Sequence, residues 1–397
     1  MAQKQLVVLA NNLAPSFRAY FNNLAAQPDS PIEIIPSSIG VFNGNHYELE
    51  TNQEAFAELW YQKPPKEGTP AWADYIAAFE EHKSKIAGQH IIFIQSMAGN
   101  VGRHIEETAA FATICEEFGV GSWEIFETYA PYGRQDKLDE GRIGSLQGKY
   151  YPIRLKRDGW SKITALECHS DKAQSYYTDK EVFGPNNAVF LSPAGLYAGD
   201  LKARGFTPEN TAILAPDGAD KLGDAGQRRA HDVGRIFYDA ASFTPEEDDK
   251  LFPKLLKKRS PEEKAGTNST VLTWDKGDVT GKRCVIVDDV GDSLGTVCDA
   301  AKLLREHGAA SVDVYLSYQG GDTGRLEEAL FKKNFNGQAL IDHVTFLDAC
   351  PVINKHVANL AGMTHDDGSL KYPDVHDRVS IMTCAPLFAQ QILKMQP

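Results

Sequence analysis

The sequence lacks long hydrophobic runs and paired cysteine motifs. No segment of the 397 residues approaches ~18 consecutive apolar residues, so no membrane span is expected. The six cysteines are scattered, without a C-x-x-C pair or a paired Cys/His spacing. This distribution argues against a disulfide framework or a zinc site and indicates reduced, mostly buried thiols. The N-terminal apolar run is too short for a signal peptide and is typical of a first strand, so we expect a cytoplasmic protein.

Positive charge is also in short supply. Lysine and arginine together number 41, aspartate and glutamate 54, and the formal net charge is −13. Proteins that bind nucleic acids or anionic membranes in general need a basic surface, so we expect neither partner. If the substrates are anions, positive charge must be concentrated locally or come from a metal. A hydrophobic fraction of 42% and a charged fraction of 24% argue against wholesale disorder.

What the sequence does contain is a repeated alternation of short apolar runs and amphipathic stretches. The apolar runs predict strands at 5–10, 90–96, 122–130, 162–168, 188–192, 211–217, 283–289, 311–318, 343–349 and 379–385. The amphipathic patterns predict helices at 105–118, 195–204, 297–307, 325–334 and 387–395. Continuous apolar strands separated by helices are typical of parallel sheets covered on both faces. We therefore predict an α/β protein of the doubly wound type.

The alternation is interrupted in two stretches and divides at one point. Residues 51–88 include a helical pattern of their own, and residues 239–281 are rich in charged residues without a clear strand period. Loops this long are often lids, assembly elements or disordered segments, so we interpret both as insertions. The segment FGPNN separates two α/β blocks and predicts domains at 1–187 and 188–397.

The strongest functional signal is the segment CVIVDDVGDSLGTV at 284–297. An apolar strand ends there in Asp288 and Asp289, and a helix is predicted to begin near Val297. Ligands of α/β proteins bind just beyond the carboxyl ends of parallel strands. The two carboxylates cannot bind phosphate, but they suit sugar hydroxyls or the metal that accompanies a diphosphate.

The residues between the strand and the helix suit a phosphate group. A glycine allows close backbone approach, two side chains offer hydroxyls, and a helix N-terminus directs N–H groups at an anion. The residues of this loop are Asp292, Ser293, Leu294, Gly295 and Thr296. Together with the two acids, the loop predicts a sugar-phosphate site; the alternative is a solvated strand–turn–helix connection.

The D-D-x-x-D-S-x-G-T pattern of this segment resembles the phosphoribosyl-pyrophosphate loop of type I phosphoribosyltransferases and of ribose-phosphate pyrophosphokinases. Other segments resemble the second family: YAPYGRQDKLD at 129–139, ECHSDKAQSYY at 167–177 and LAPDGADK at 214–221. The matches follow the order of that family from residue 90 onward. Its members contain two similar α/β domains of the type I phosphoribosyltransferase kind, each with a mainly parallel sheet, and the resemblance implies the same here.

The resemblance implies a reaction in which the C1 hydroxyl of ribose 5-phosphate attacks the β-phosphorus of MgATP. The products would be phosphoribosyl pyrophosphate and AMP, the cofactor Mg²⁺, and the assembly a homo-oligomer, dimer or hexamer. Such a transfer requires positioning and charge neutralisation more than covalent chemistry.

The resemblance also implies roles for individual residues. ATP would be bound by Arg134, Gln135, Asp136, Asp139, Phe42 and Asn43. The ribose hydroxyls would be bound by Asp288 and Asp289, and the 5-phosphate by the loop 292–296. The metal would be held by His169 and Asp217, and the catalytic groups would be His169, Lys257 and Arg259.

Each of these residues has a structural alternative. Arg134 and Asp136 could form a surface ion pair, His169 could be a structural histidine, and Asp217 could cap a helix. Lys257 and Arg259 could belong to a solvated basic face.

Departures from the family pattern leave other functions open. Glu167 stands where the family has aspartate, and residues 41–48 match its adenine-binding segment poorly. The acceptor could therefore be another ribose-phosphate derivative. A phosphoribosyltransferase and a non-catalytic regulatory homologue are the remaining alternatives.

Overall fold

The computed structural model describes residues 4–35, 66–138, 144–216, 225–259, 270–292, 294–365 and 367–395. The chain forms two compact units, one comprising Met1–Leu191 with Ala385–Pro397 and the other Ser192–Cys384. Each unit is built on a parallel sheet, which confirms the predicted α/β class. All six cysteines are free thiols, and five of them are buried. No helix in the described part of the chain is both long and apolar enough to cross a membrane.

The first unit contains a six-stranded sheet. Its strands are β1 (Gln5–Leu9), β2 (Ile32–Ile35), β3 (His90–Ser96), β4 (Ser122–Tyr129), β5 (Lys162–Leu166) and β6 (Ala188–Leu191). The strands are parallel and adopt the order β2-β1-β3-β4-β5-β6. Its helices before residue 191 are α1 (Pro15–Ala25), α2 (Pro70–Ile86), α3 (Val101–Glu117), α4 (Gln147–Arg157) and α5 (Asp171–Tyr177). The order of the strands reverses between β1 and β3, and open α/β sheets bind ligands at such a reversal.

The second unit contains a five-stranded parallel sheet in the order β15-β14-β11-β10-β7. The strands of the unit are β7 (Thr211–Leu214), β8 (Lys254–Arg259), β9 (Thr270–Lys276), β10 (Arg283–Gly291), β11 (Ser311–Gln319), β12 (Asn334–Phe335), β13 (Gln338–Ala339), β14 (His343–Leu347) and β15 (Val379–Met382). Its helices are α6 (Ala194–Ala203), α7 (Ala225–Phe237), α8 (Pro245–Leu251), α9 (Gly295–Glu306), α10 (Thr323–Glu327), a π-helix (Glu328–Lys332), α11 (Val352–Ala361) and α12 (Val375–Arg378). The helix α13 (Ala385–Lys394) follows and belongs to the first unit.

The central strands of both sheets are buried along almost their whole length. Six of the seven residues of β3, and eight of the nine residues of β11, are buried. Because helices cover a parallel sheet on both faces, such strands are continuously apolar instead of alternating. This pattern made the strands readable from the sequence, and every predicted strand coincides with an observed one to within a few residues.

The stretch 239–281, expected to lack strands, contains the antiparallel pair β8–β9. Each strand of the pair has its own anchor: Leu255 is fully buried, and Trp274 stacks on His307 with 4.1 Å between ring centroids. The charged residues of KLLKKR interrupt the apolar pattern, so the sequence of this stretch shows no strand period.

The observed division of the chain differs from the expected boundary between residues 187 and 188. The first unit continues to Leu191 because β6 pairs with β5. It also includes α13, which was expected in the second domain. Phe388 of that helix lies 5.6 Å from Phe17 and 6.1 Å from Phe126, measured between ring centroids. These contacts join residues far apart in the chain, so no local pattern announces them.

Candidate functional site

The predicted phosphate loop lies at the carboxyl end of β10. The strand extends beyond the two acids to Gly291, and α9 begins at Gly295, two residues before the expected start. Gly295 and Thr296 therefore lie in the first helical turn, whose N–H groups have no partner within a helix. Leu294 precedes the helix in the left-handed conformation, with φ 57°, and its side chain is buried. A leucine held in that conformation is backbone strain of the kind that clusters at ligand-binding sites.

The two acids near the end of the strand lie in different environments. Asp289 is 3% exposed and pairs with Arg229 of α7, with 3.4 Å between Oδ2 and Nη2. Asp288 is partly exposed, and its Oδ1 accepts a hydrogen bond from the backbone N–H of Asp289 at 2.9 Å. Arg229 was not predicted, because nothing in the helix that carries it points to an acid sixty residues later. Its charge compensates Asp289, so the more accessible carboxylate is the better placed to meet a sugar hydroxyl.

The loop is packed from the side by the segment that follows β11. A Cβ added to Gly321 would lie 2.0 Å from the carbonyl oxygen of Asp292, so only glycine allows this approach. From α10, Arg325 donates from Nη1 to Oδ1 of Asp292 at 3.0 Å. The glycine pair and the arginine were missed, since they become relevant only when β10 and β11 lie side by side.

In the first unit, the structure brings the Arg134 and His169 segments together. Asp136 is buried, and its Oδ2 accepts from the Ser170 hydroxyl at 2.5 Å. Its carbonyl oxygen accepts from the Tyr176 hydroxyl at 2.8 Å. A Cβ on Gly133 would lie only 3.2 Å from the Cβ of His169. Asp136 thus fastens the two segments to each other.

The residues predicted to contact ATP and metal on these segments differ in exposure. Arg134 and Gln135 are exposed, whereas His169 is partly buried. His169 follows β5 and directly precedes Ser170, which caps α5 by accepting from the backbone N–H of Ala173 at 3.0 Å. A strand end and a helix start therefore fix the backbone on both sides of the histidine.

A buried polar group at the ends of β3 and β4 was not predicted. Gln95 is fully buried; its Nε2 donates to Glu107 at 3.1 Å, and its Oε1 accepts from the Thr108 hydroxyl at 2.6 Å. Its neighbour across the strand pair is Glu127, which accepts a hydrogen bond from the Tyr151 hydroxyl. Burial raises the pKa of Glu127 to about 8, so this carboxyl is largely protonated at neutral pH. The sequence signal that could have indicated this buried group is Glu127, an acidic residue within the apolar run of β4.

Some predicted residues lie outside the described part of the chain, and two others lie on a strand. Five of them lie outside the described residues: Phe42, Asn43, Asp139, Asp217 and Ser293. Lys257 and Arg259 lie on the strand β8, paired with Leu272 and Thr270 of β9. Within the described ranges, no group of three or more His, Cys, Asp or Glu side chains could hold a metal ion.

Comparison with known proteins gives consistent matches. Residues 250–352 match the phosphoribosyl transferase domain model. A ribose-phosphate pyrophosphokinase of Marinomonas sp. is 26% identical over 60% of this chain, and the match spans 66% of that relative's length. One from Mesorhizobium japonicum is 24% identical over 72% of this chain and 83% of its own. The crystal structure of phosphoribosylpyrophosphate synthetase from Mycobacterium smegmatis superposes with a TM-score of 0.62, covering 98% of both chains at 18% identity.

Proposed function

We propose that this chain, which belongs to the ribose-phosphate pyrophosphokinase family, transfers the β,γ-diphosphoryl group of ATP to the C1 hydroxyl of ribose 5-phosphate. The products are phosphoribosyl pyrophosphate and AMP. The proposal includes the partners ATP and ribose 5-phosphate, a homo-oligomeric assembly of two or six chains, and a cytoplasmic location.

The observation that carries the proposal is the arrangement at the carboxyl end of β10. A partly exposed carboxylate, Asp288, is followed within a few residues by a strained turn at Leu294 and the N-terminus of a twelve-residue helix. The helix end attracts the phosphate, and the carboxylate accepts hydrogen bonds from the ribose hydroxyls. A sugar phosphate carries both a phosphate and hydroxyl groups, at the two ends of one small molecule.

The positive charge for the transferring group comes from elsewhere in the chain. Arg134, which is exposed, binds the ATP phosphates through its planar guanidinium, with Gln135 beside it. Asp136 does not contact ATP in this proposal, because its carboxylate is buried against Ser170 and orients the segment. Lys257 and Arg259 stabilise the charge that develops as the diphosphoryl group moves, and the β8–β9 pair positions their backbone.

His169 is the described residue that would hold a magnesium ion arriving with the nucleotide. Mg²⁺ keeps several waters and is usually bound by one or two carboxylates together with substrate phosphates, so a group of three or more protein ligands is not required. Asp217 and His169 are the proposed ligands. When bound, the ion neutralises charge on the β- and γ-phosphates.

The test is to incubate the purified protein with MgATP and ribose 5-phosphate and to identify the nucleotide released. We expect AMP and phosphoribosyl pyrophosphate in equal amounts. Asp288→Asn should lower turnover at least tenfold, whereas Asp299→Asn, on the exposed side of α9, should not.

Other products would contradict the proposal in distinct ways. ADP as the product would indicate a simple kinase. Consumption of phosphoribosyl pyrophosphate in the presence of a purine or pyrimidine base would indicate a phosphoribosyltransferase. A folded protein that binds ribose 5-phosphate without turning it over would be a regulatory homologue, and turnover only with a modified ribose phosphate would change the acceptor.

A further inference from the structure

Gln319, the last residue of β11, carries a buried amide without a hydrogen bond to any described residue. The residue is 2% exposed, and within the described part of the chain neither Nε2 nor Oε1 has a partner. Buried side-chain amides are almost always bonded, because leaving one unpaired sacrifices its hydration without compensation. An exception of this kind calls for a partner that the described residues do not supply.

The amide lies against the base of the phosphate loop. Gln319 pairs with Gly291 on β10, directly before Asp292. Its Oε1 is 3.3 Å from the place that a Cβ of Gly291 would occupy, and its Nε2 is 3.2 Å from that of Gly321. Both glycines border Asp292, one along the chain and one through the close approach to its carbonyl oxygen. Because Gly291 and Gly321 have no side chains, the amide faces the loop.

We propose that the amide of Gln319 donates a hydrogen bond to the phosphoryl group of the ligand held at the N-terminus of α9, and so contributes to selecting a phosphorylated sugar. The inference rests on the proposed function, since it assigns the phosphate to this loop. A neutral amide suits the position, because it adds a donor beneath the phosphate without a buried charge that would need a counter-ion.

The binding of ribose 5-phosphate and of inorganic phosphate can be measured by titration calorimetry on the full-length protein. In Gln319→Met the side chain keeps its unbranched shape and loses both polar atoms. We expect affinity for both ligands to fall about tenfold or more, because hydrogen bonds to charged groups are among the stronger ones. We also expect a higher melting temperature without ligand, since an unpaired buried amide has been removed.

A matched control lies at the other end of the same strand. Ser311 begins β11, and its hydroxyl is also buried without a partner in the described residues. Ser311→Ala should leave both affinities unchanged. A fall in affinity caused by Ser311→Ala as well would show that polar groups along β11 act through general stability and would overturn the proposal.

The remaining outcomes separate this proposal from the proposed function. If the wild-type protein binds ribose 5-phosphate and Gln319→Met binds it equally well, an ordered water satisfies the amide; our inference is then wrong and the proposed function stands. If affinity falls for ribose 5-phosphate but not for inorganic phosphate, the amide contacts the sugar and the phosphate assignment is overturned. If the wild-type protein binds neither ligand, both proposals fail. Should Gln319→Met not fold, Gln319→Leu serves for the same comparison.

Discussion

Two buried glutamines occupy similar places in the two units and have opposite surroundings. Gln95 lies near the carboxyl end of β3, and helix α3 provides both of its partners, Glu107 and Thr108. Gln319 lies at the carboxyl end of β11, and its neighbours are glycines that provide none. The comparison teaches that a buried amide can serve either the fold or a ligand, and that the adjacent residues decide which.

The largest expected effect comes from closing the space beside Gln319. In Gly321→Ala the new Cβ would lie 2.0 Å from the backbone oxygen of Asp292, so the loop must move. We expect the affinity for ribose 5-phosphate, measured by titration calorimetry, to fall by more than tenfold. Gly199→Ala, in the helix α6 where the added Cβ meets nothing within 4 Å, is the matched control and should leave binding intact. Unchanged binding in Gly321→Ala would show that the loop tolerates displacement.

The second effect concerns Glu127, the strand neighbour of Gln95. Its pKa is about 8 in the folded protein and near 4.5 ordinarily, so the folded state retains a proton that the unfolded chain releases between these values. The stabilisation that this bound proton provides is complete when the pH is below the ordinary pKa of glutamate. It is lost as the pH rises toward 8, and the free energy of unfolding falls by up to about 1.4 kcal/mol per pH unit.

Urea denaturation from about pH 5 to about pH 8 measures this dependence. Glu127→Gln keeps the shape and cannot titrate, so the difference between wild type and variant should grow with pH in favour of the variant. Parallel curves for the two proteins would mean that Glu127 ionises normally when folded.

The third prediction is a change in stability of opposite sign to the one expected for Gln319→Met. Gln95→Met leaves Glu107 and Thr108 without the amide, so the free energy of unfolding should decrease by about 1–3 kcal/mol. Gln319→Met should increase it. Chemical denaturation of both variants beside wild type makes the comparison directly, and changes of the same sign in both would remove the distinction between the two glutamines.

The smallest expected effect lies at the rim of the loop. Arg325 and Asp292 form an ion pair at 3.0 Å whose side chains are about half exposed. Because such pairs contribute at most about 1 kcal/mol, Arg325→Met should change stability little. We expect ribose 5-phosphate to bind less than about fivefold more weakly. A loss as large as that of Gly321→Ala would place Arg325 on the ligand itself.

The sequence was sufficient where chemistry and structure are both local. Asp288 and Asp289 lie near the end of an apolar strand and precede a glycine-containing helix start within one segment, so the strand and the helix that follows it could be inferred. The ligand class remains a prediction. The parallel sheets followed from continuous apolar runs for the same reason.

The missed features depend on residues brought together by the fold. Arg229 reaches Asp289 of β10 from the helix α7, and Gln319 becomes notable only when β11 lies beside β10. In isolation, a glutamine before two glycines is typical of a strand end and a turn. The roles of Lys257 and Arg259 remain predictions.

The position of α13 has a consequence for how the protein is made. Synthesis delivers the chain from its N-terminus, and domains ordinarily fold in the order in which they emerge. Phe17 and Phe126 emerge early, yet Phe388 joins them only after the whole of Ser192–Cys384 has been translated. The unit begun first is therefore the last to complete its core, and a released chain ending at residue 384 would contain the whole second unit and an incomplete first one.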